Sequence, residues 1–379
     1  MEIVHNAKMK ICVITPRFTL SGVPLAQIRF ARALQAKGHE VDLIIGYVDP
    51  EYDLPANLDV NIIHLNQPKV RGMLFPVRNY LKNMKPDVVF SAEDHLNMVV
   101  LLAAISTGSK AKISGSSRVT PFDTYSDTPF TKRWFLKQLV RAVNWRANAL
   151  TCVSKDMVGQ YRLVFKSSPH VDIYNIVDDK ASRKKSKEPV DHKWLQQDAD
   201  PVIIAAGRLA PWKGFSDLIR AVSLIPKERN ARLIILGDGP QRPELEALVE
   251  NLGLKDSVDL PGYVNNPLKY FSKSKVFVLS SLVEGLPNVL VEAMMCGCTP
   301  VSTDCPTGPR EVLNNGKYGY LVPVGNPEEL AIGIERALDL PISASLLEEA
   351  VQPFEESAVI NRHFEVLGLA TSFHARGLS

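Results

Sequence analysis

The sequence lacks any apolar run long enough to cross a bilayer. Its longest, Met98 to Ile105, is flanked by Asn97 and Ser106 and falls far short of the ~20 residues that a spanning helix needs. The apolar stretch nearest the start, Ile11 to Ile14, is too short for a signal-peptide core and is followed by no small-residue cleavage site. It is expected to be a strand, and the chain to work in the cytoplasm. Cysteine is scarce: Cys12, Cys152, Cys296, Cys298 and Cys305 show no CxxC spacing, which argues against a disulfide framework and a zinc ribbon. Charge of one sign is lacking too. A formal net charge of +3 is too small to point to nucleic acid as a partner.

What is present is ordinary globular material, 45% hydrophobic and 22% charged, enough for packed cores. The 379 residues exceed the ~250–300 that one core serves, so two domains are expected. In the first half, Lys10–Ile14, Val41–Ile45, Asp87–Phe90 and Ala149–Val153 read as strands, alternating with helical stretches such as Leu25–Lys37 and Leu96–Ile105. This spacing predicts an α/β fold with a doubly wound parallel sheet, and such sheets bind ligands at the carboxyl ends of their strands. The rhythm stops in a basic stretch and restarts with Val202–Ala206, Arg232–Leu236, Lys275–Leu279 and Pro300–Thr303. Hence the expected division: a Rossmann-like domain at 1–180, an exposed linker at 181–200, and a second Rossmann-like domain at 201–357. A C-terminal helix near 358–379 is expected to pack back onto the first domain. Each half opens with a strand and a glycine loop (Ser21-Gly22; Gly207 and Gly214), but neither has the strict dinucleotide fingerprint.

The most informative segment runs from Glu284 to Met294 and contains Glu-x7-Glu. From Asn288 onward it predicts a first helical turn, whose free N–H groups and positive dipole end suit a diphosphate or sugar oxygens. With Glu284 in the preceding loop and Glu292 on the helix, the carboxylates reach different parts of one elongated ligand. No histidine accompanies them, so a shared metal is less natural. For an arbitrary pair of glutamates, a helix cap and a solvent-facing side chain would be the ordinary explanation. The upstream segment Gly207 to Gly214 weighs against it, because it sets Arg208 and Lys213 at the end of the first strand of the second half. Two cations beside a helix N-terminus make a diphosphate clamp.

Taken together, these segments resemble the retaining, two-Rossmann-domain (GT-B) glycosyltransferases of family 4, also called group 1. The resemblance covers most of the chain: Ser21-Gly22 and Ala36 to Val41; Val153-Ser154 and Tyr174-Asn175; Gly207-Arg208 with Lys213-Gly214; Leu236 to Pro240; Pro261 to Tyr263; Glu284 to Asn288 with Glu292 to Met294; and Pro306 to Glu311. It implies two domains facing a central cleft, the first on the acceptor side and the second binding a nucleotide sugar. It further implies that Arg208 and Lys213 neutralise the donor diphosphate, that Glu292 holds the ribose and that Glu284 lies beside the donor sugar. Gly285, Leu286, Asn288 and Val289 would offer backbone groups to sugar and phosphate oxygens, Gly262, Tyr263 and Val264 would lie near the base, and Gly22 would face the diphosphate. Retention and leaving-group stabilisation follow from the same resemblance, with Glu284, Arg208 and Lys213 carrying the catalysis. No metal or cofactor is required, the nucleotide sugar being a substrate.

The sequence departs from the pattern at Ser21, where many relatives have glycine, and in Ile113 to Arg118, which lacks the histidine some relatives carry. His95, with Glu93 and Asp94, is the remaining candidate to contact sugar or acceptor; a structural or solvated histidine is the alternative. In 131–146, Arg133, Lys137 and Arg141 recur every four residues while Leu136, Leu139, Val140 and Val143 form an apolar face. With Trp134 and Trp145, this helix suits peripheral membrane contact, or else its apolar face is domain core. The partners expected are therefore a nucleotide-sugar donor, UDP-linked, and a glycan or lipid-linked acceptor of surface-polysaccharide or lipopolysaccharide assembly. A nucleotide-sugar epimerase and a non-catalytic glycosyltransferase-like subunit are the competing readings.

Overall fold

The computed structural model describes residues 8–19, 22–54, 58–166, 169–196 and 200–369. They form two compact units, one of Met1–Ile176 with Glu356–Ser379 and the other of Val177–Glu355.

The first unit is built on a seven-stranded parallel sheet of β1 (Lys10–Phe18), β2 (Glu40–Val48), β3 (Asn61–His64), β4 (Val88–Ala92), β5 (Lys112–Ser117), β6 (Ala149–Cys152) and β7 (His170–Asp172), in the order β3-β2-β1-β4-β5-β6-β7. Six successive residues of β1, Ile11 to Pro16, are buried, as they must be in a strand covered by helices on both faces. One face packs on the helix Gly22–Ala36 through Ile28, Ala31 and Leu34. The other packs on Leu74–Met84 and Asp94–Thr107 through Val77, Leu81, Leu96 and Val100.

The second unit carries a six-stranded parallel sheet of β8 (Val202–Ala206), β9 (Arg232–Leu236), β10 (Val258–Gly262), β11 (Val276–Leu279), β12 (Thr299–Thr303) and β13 (Tyr320–Val322), ordered β10-β9-β8-β11-β12-β13. In both sheets the winding reverses beside the first strand, between β1 and β4 and between β8 and β11. Loops leaving the carboxyl ends of such a strand pair diverge and open a crevice. Both units are thus of the doubly wound α/β class.

The division differs from the expected one. The chain changes unit between Ile176 and Val177, and 181–200 is not a free linker. Lys180–Ser186 is a helix, with Asp179 Oδ1 accepting from Ser182 N at 2.6 Å. Arg183 Nε donates to Asp178 Oδ1 at 2.7 Å, and Asn266 Nδ2 donates to Lys185 O at 2.9 Å and Glu188 Oε2 at 2.8 Å. The basic run breaks the apolar rhythm, yet Arg183 and the Lys185 carbonyl find partners within the second unit.

The segment expected as a helix over 358–379 is helical over Glu356–Val366; residues 370–379 lie outside the described part. Val359, Ile360 and Phe364 join the core of the first unit with Ile11, Val13 and Phe30, and Lys112 Nζ donates to Leu367 O at 2.5 Å. The last helix therefore stabilises a sheet whose strands precede it by the length of a domain. Phe364→Ala should cost about 3–5 kcal/mol, read as a lower urea midpoint for the first unit. A cost below about 1 kcal/mol would show that this helix is not part of the core.

Candidate active site

The chain turns immediately after β8, and glycine makes the turn possible. A β-carbon on Gly237 would stand 1.9 Å from Gly207 O, and one on Gly214 (φ 64°) would stand 2.0 Å from Ser280 O. Both distances are far inside contact range, so only glycine lets the turn after β8 touch the loops after β9 and β11. Gly207 N donates to Leu236 O at 2.9 Å, Ser280 Oγ to Lys213 O at 2.8 Å, and Leu282 N to Trp212 O at 2.8 Å.

This lacing sets Lys213 against Glu284. Lys213 Nζ lies 2.6 Å from Glu284 Oε1, and Ser281 Oγ donates to the same oxygen at 2.6 Å. The main chain beneath is pinned as well: Thr303 Oγ1 donates to Ser281 O at 2.6 Å, and Thr307 Oγ1 donates to Glu284 O. Only 19% of the Lys213 side chain and 12% of the Glu284 side chain are exposed, so the pair sits where water screens it weakly. Arg208, two residues beyond β8, is exposed.

Beyond Glu284 the chain runs through Gly285, Leu286 and Pro287 into the helix Asn288–Met295, which has no acidic residue in its first turn. Its positive end is therefore not neutralised from within. Glu292 lies one turn along, partly buried. Gly262 (φ 93°) closes β10 and accepts from Gly237 N at 2.9 Å, which brings Tyr263, 58% exposed, and Val264 to the same end of the sheet. Arg208, Lys213, Glu284–Val289 and Glu292 thus follow the switch-point strands β8 and β11, and Gly262–Val264 follow the edge strand β10, all at the carboxyl-end side of one sheet. Gly22, Glu93, Asp94 and His95 belong to the other unit.

Residues 186–352 match the model of the glycosyl transferases group 1, and residues 22–173 that of a glycosyl transferase 4-like domain. An uncharacterized glycosyltransferase of Methanocaldococcus jannaschii is 30% identical over 280 residues, 67% of each chain. Anabaena HepE, solved in complex with UDP and glucose, shares the fold with a TM-score of 0.72 at 18% identity, over 96% of this chain and all of that one. The chain belongs to the GT-B glycosyltransferases. A further relative, at 28% identity over 79% of this chain and 82% of its own, is the N-acetylgalactosamine-N,N'-diacetylbacillosaminyl-diphospho-undecaprenol 4-alpha-N-acetylgalactosaminyltransferase of Campylobacter jejuni.

In the first unit of this glycosyltransferase, Gly22 opens the helix Gly22–Ala36, while Ser21 lies outside the described residues. Asp94, expected beside the acceptor, is instead an internal tie. It is 8% exposed, with Ser117 Oγ donating to Oδ1 at 2.5 Å and the Tyr125 and Tyr161 hydroxyls donating to Oδ2 at 2.7 and 2.6 Å. Burial and the Asp94 charge push both phenols far up, so they remain donors. His95 is exposed on the first turn of Asp94–Thr107. Glu93 sits between β4 and that helix with φ 81° and ψ 133°, a conformation rarely adopted outside glycine and found where structure imposes strain. Burial raises its carboxyl pKa, the Arg118 guanidinium opposes the rise, and Asp94 adds to it.

The helix Lys132–Val143 also departs from expectation. Lys137 is buried, paired with Asp127, whereas Leu139 is 50% exposed, together with Phe135 (51%), Phe130 (83%) and Trp145 (72%). The apolar residues lie on two faces of this helix, and only one is core.

Gln27, Arg118 and His363, unmarked in the sequence, converge in the first unit. Burial, and then the Arg118 charge, lowers the His363 imidazole from 6.5 to about 3. It is neutral when folded and takes up a proton when unfolded, so its contribution to stability is full above pH 6.5 and is lost as pH falls toward 3. His363→Phe should remove this loss. Between pH 7 and pH 4 the wild type should fall by on the order of 1–3 kcal/mol relative to the variant in urea unfolding; parallel profiles would contradict the assignment.

Proposed function

We propose that this glycosyltransferase moves a hexose or N-acetylhexosamine from a UDP-linked donor to a lipid-linked saccharide, with retention at the anomeric carbon and without a metal. The observation that carries the reading is the Lys213–Glu284 pair, held at 2.6 Å ahead of a helix N-terminus, with Arg208 on the same turn after β8. In the free protein Glu284 neutralises Lys213. When a donor arrives, Lys213 turns to the diphosphate, Arg208 joins it, and Glu284 is released to accept hydrogen bonds from the sugar hydroxyls. Glu292 takes the ribose, and Gly262–Val264 lie at the base.

The chemistry needs positioning and charge more than a nucleophile on the protein. The bond between C1 and the diphosphate oxygen breaks, and negative charge grows on that oxygen opposite Arg208, Lys213 and the amides that begin the helix Asn288–Met295. The acceptor hydroxyl forms the new C1–O bond on the same face and passes its proton to the departing diphosphate. Fixed cations supply the stabilisation that a divalent ion gives elsewhere.

A lipid-linked acceptor is supported by the undecaprenol-linked substrate in the name of the Campylobacter relative. It is also supported by the exposed Phe130, Phe135, Leu139 and Trp145, with Lys132, Arg133 and Arg141 exposed among them. Aromatic residues beside cations suit the headgroup region of an anionic bilayer, and none of the described helices is long and apolar enough to cross one.

In saturation-transfer NMR against UDP-, GDP- and ADP-sugars, the wild type should select a UDP-sugar and Arg208→Ala/Lys213→Ala should lose it. Lys213→Met alone should slow turnover about 100-fold, the equivalent of ~3 kcal/mol at the transition state. Binding that survives the double substitution would place the donor elsewhere. For the membrane contact, the wild type should sediment with phosphatidylglycerol vesicles and Phe130→Ser/Trp145→Ser should stay in solution; equal sedimentation would remove that face from the account.

A further inference from the structure

The first unit holds a small, partly open cavity on the sheet face covered by the helices Gly22–Ala36 and Glu356–Val366. Its volume is about 20 Å³, which admits a water or the oxygen end of a small polar group but not a sugar ring. Gln27, Ser114, Ser116, Arg118, Asn175 and His363 line it, backed by Phe30 and Phe90. Three of these residues leave a buried polar atom without a partner: Gln27 Oε1, Arg118 Nε and His363 Nδ1. Gln27 is only 3% exposed. Buried polar atoms are nearly always satisfied, so three orphans around one space mark a place made for something polar.

Arg118 sets the sign of that something. It follows β5 directly, and its guanidinium donates to the neutral Asn175 Oδ1. Among the described residues it has no ion-pair partner; Glu93 acts on it only through its field. The side chain is partly buried, its Nε is shielded from water with no acceptor, and Glu93 stays beyond ion-pair distance. Such a donor is unfavourable unless paired, and the planar fork matches two oxygens of a phosphate or carboxylate. The Ser114 and Ser116 hydroxyls can donate to the same oxygens. His363 can do so with its proton on Nδ1, and Gln27 with its amide turned. A neutral hydroxyl would meet the hydrogen bonds and leave the charge.

We propose that this cavity binds an oxyanion, a phosphate or carboxylate group carried by the acceptor, with Arg118 as its counter-ion. The word acceptor rests on the transferase reading above; the anion site does not. The experiment uses the full chain with 15N-labelled histidine, following the His363 ring signals while inorganic phosphate is titrated at constant pH and ionic strength. The expected result is a saturable shift at His363, none at His39 in the same unit, and at least tenfold weaker binding in Arg118→Gln. Should that variant not fold, Arg118→Lys keeps the charge, loses the fork, and should bind several-fold more weakly. No saturable shift, or equal affinity in the folded variants, would overturn the proposal and leave a cavity for water alone. Acetate and farnesyl diphosphate in place of phosphate separate the sources. Tighter binding of farnesyl diphosphate assigns a lipid diphosphate, and tighter binding of acetate an acidic sugar. UDP titrated separately tests the transferase reading, whose failure would leave the phosphate result standing.

Discussion

The second unit depends on one close approach, the contact between the turn after β8 and the loop after β11. At position 214 a β-carbon would lie 2.0 Å from Ser280 O, so that contact exists only with glycine there. Everything chemical in this unit follows from it. Ser280 and Leu282 fasten the turn, the fastening presents Lys213 to Glu284, and Ser281, Thr303 and Thr307 keep Glu284 in place. Gly214 sits directly after Lys213, and it fixes the geometry by what it omits.

An ion pair this enclosed is a poor contributor to stability, since removing two charges from water offsets much of their attraction. Under the proposed function its use lies in readiness: Lys213 would be held oriented before a ligand arrives, its charge balanced by Glu284 until a diphosphate takes over. The neighbouring Cys305 does not compete for either role, because burial, and then the Glu284 charge, push its thiol up to about 11 and keep it protonated. The site in the second unit is thus electrostatic, with positions set before the reaction.

The sequence was legible where strands are rich in β-branched and aliphatic residues: β1, β2, β4, β6, β8, β9, β11 and β12 all read as apolar runs. It was silent at β5, whose Lys-Ile-Ser-Gly-Ser-Ser carries one large apolar side chain, at the short β3, β7 and β13, and at β10, where Pro261 interrupts. β5 is a central strand despite its composition, because its serines and glycine let other groups approach; Asn97 Nδ2 donates to Ser116 O, and a β-carbon on Gly115 would stand 3.0 Å from Asn97 Cγ. Charge period misled at Lys132–Val143, where Lys137 turns inward to Asp127. The grouping around Glu284 was readable because its members follow strand ends in order. The grouping around Arg118 was not, because Gln27, Arg118 and His363 come from distant parts of the chain and meet only once the last helix docks.

The most direct test is a crystal structure of the full chain with UDP bound. The account predicts the diphosphate against Arg208 and Lys213, with Lys213 Nζ moved off Glu284 and onto a phosphate oxygen. A diphosphate bound away from these residues, or a Lys213–Glu284 pair unchanged at 2.6 Å with UDP in place, would contradict it.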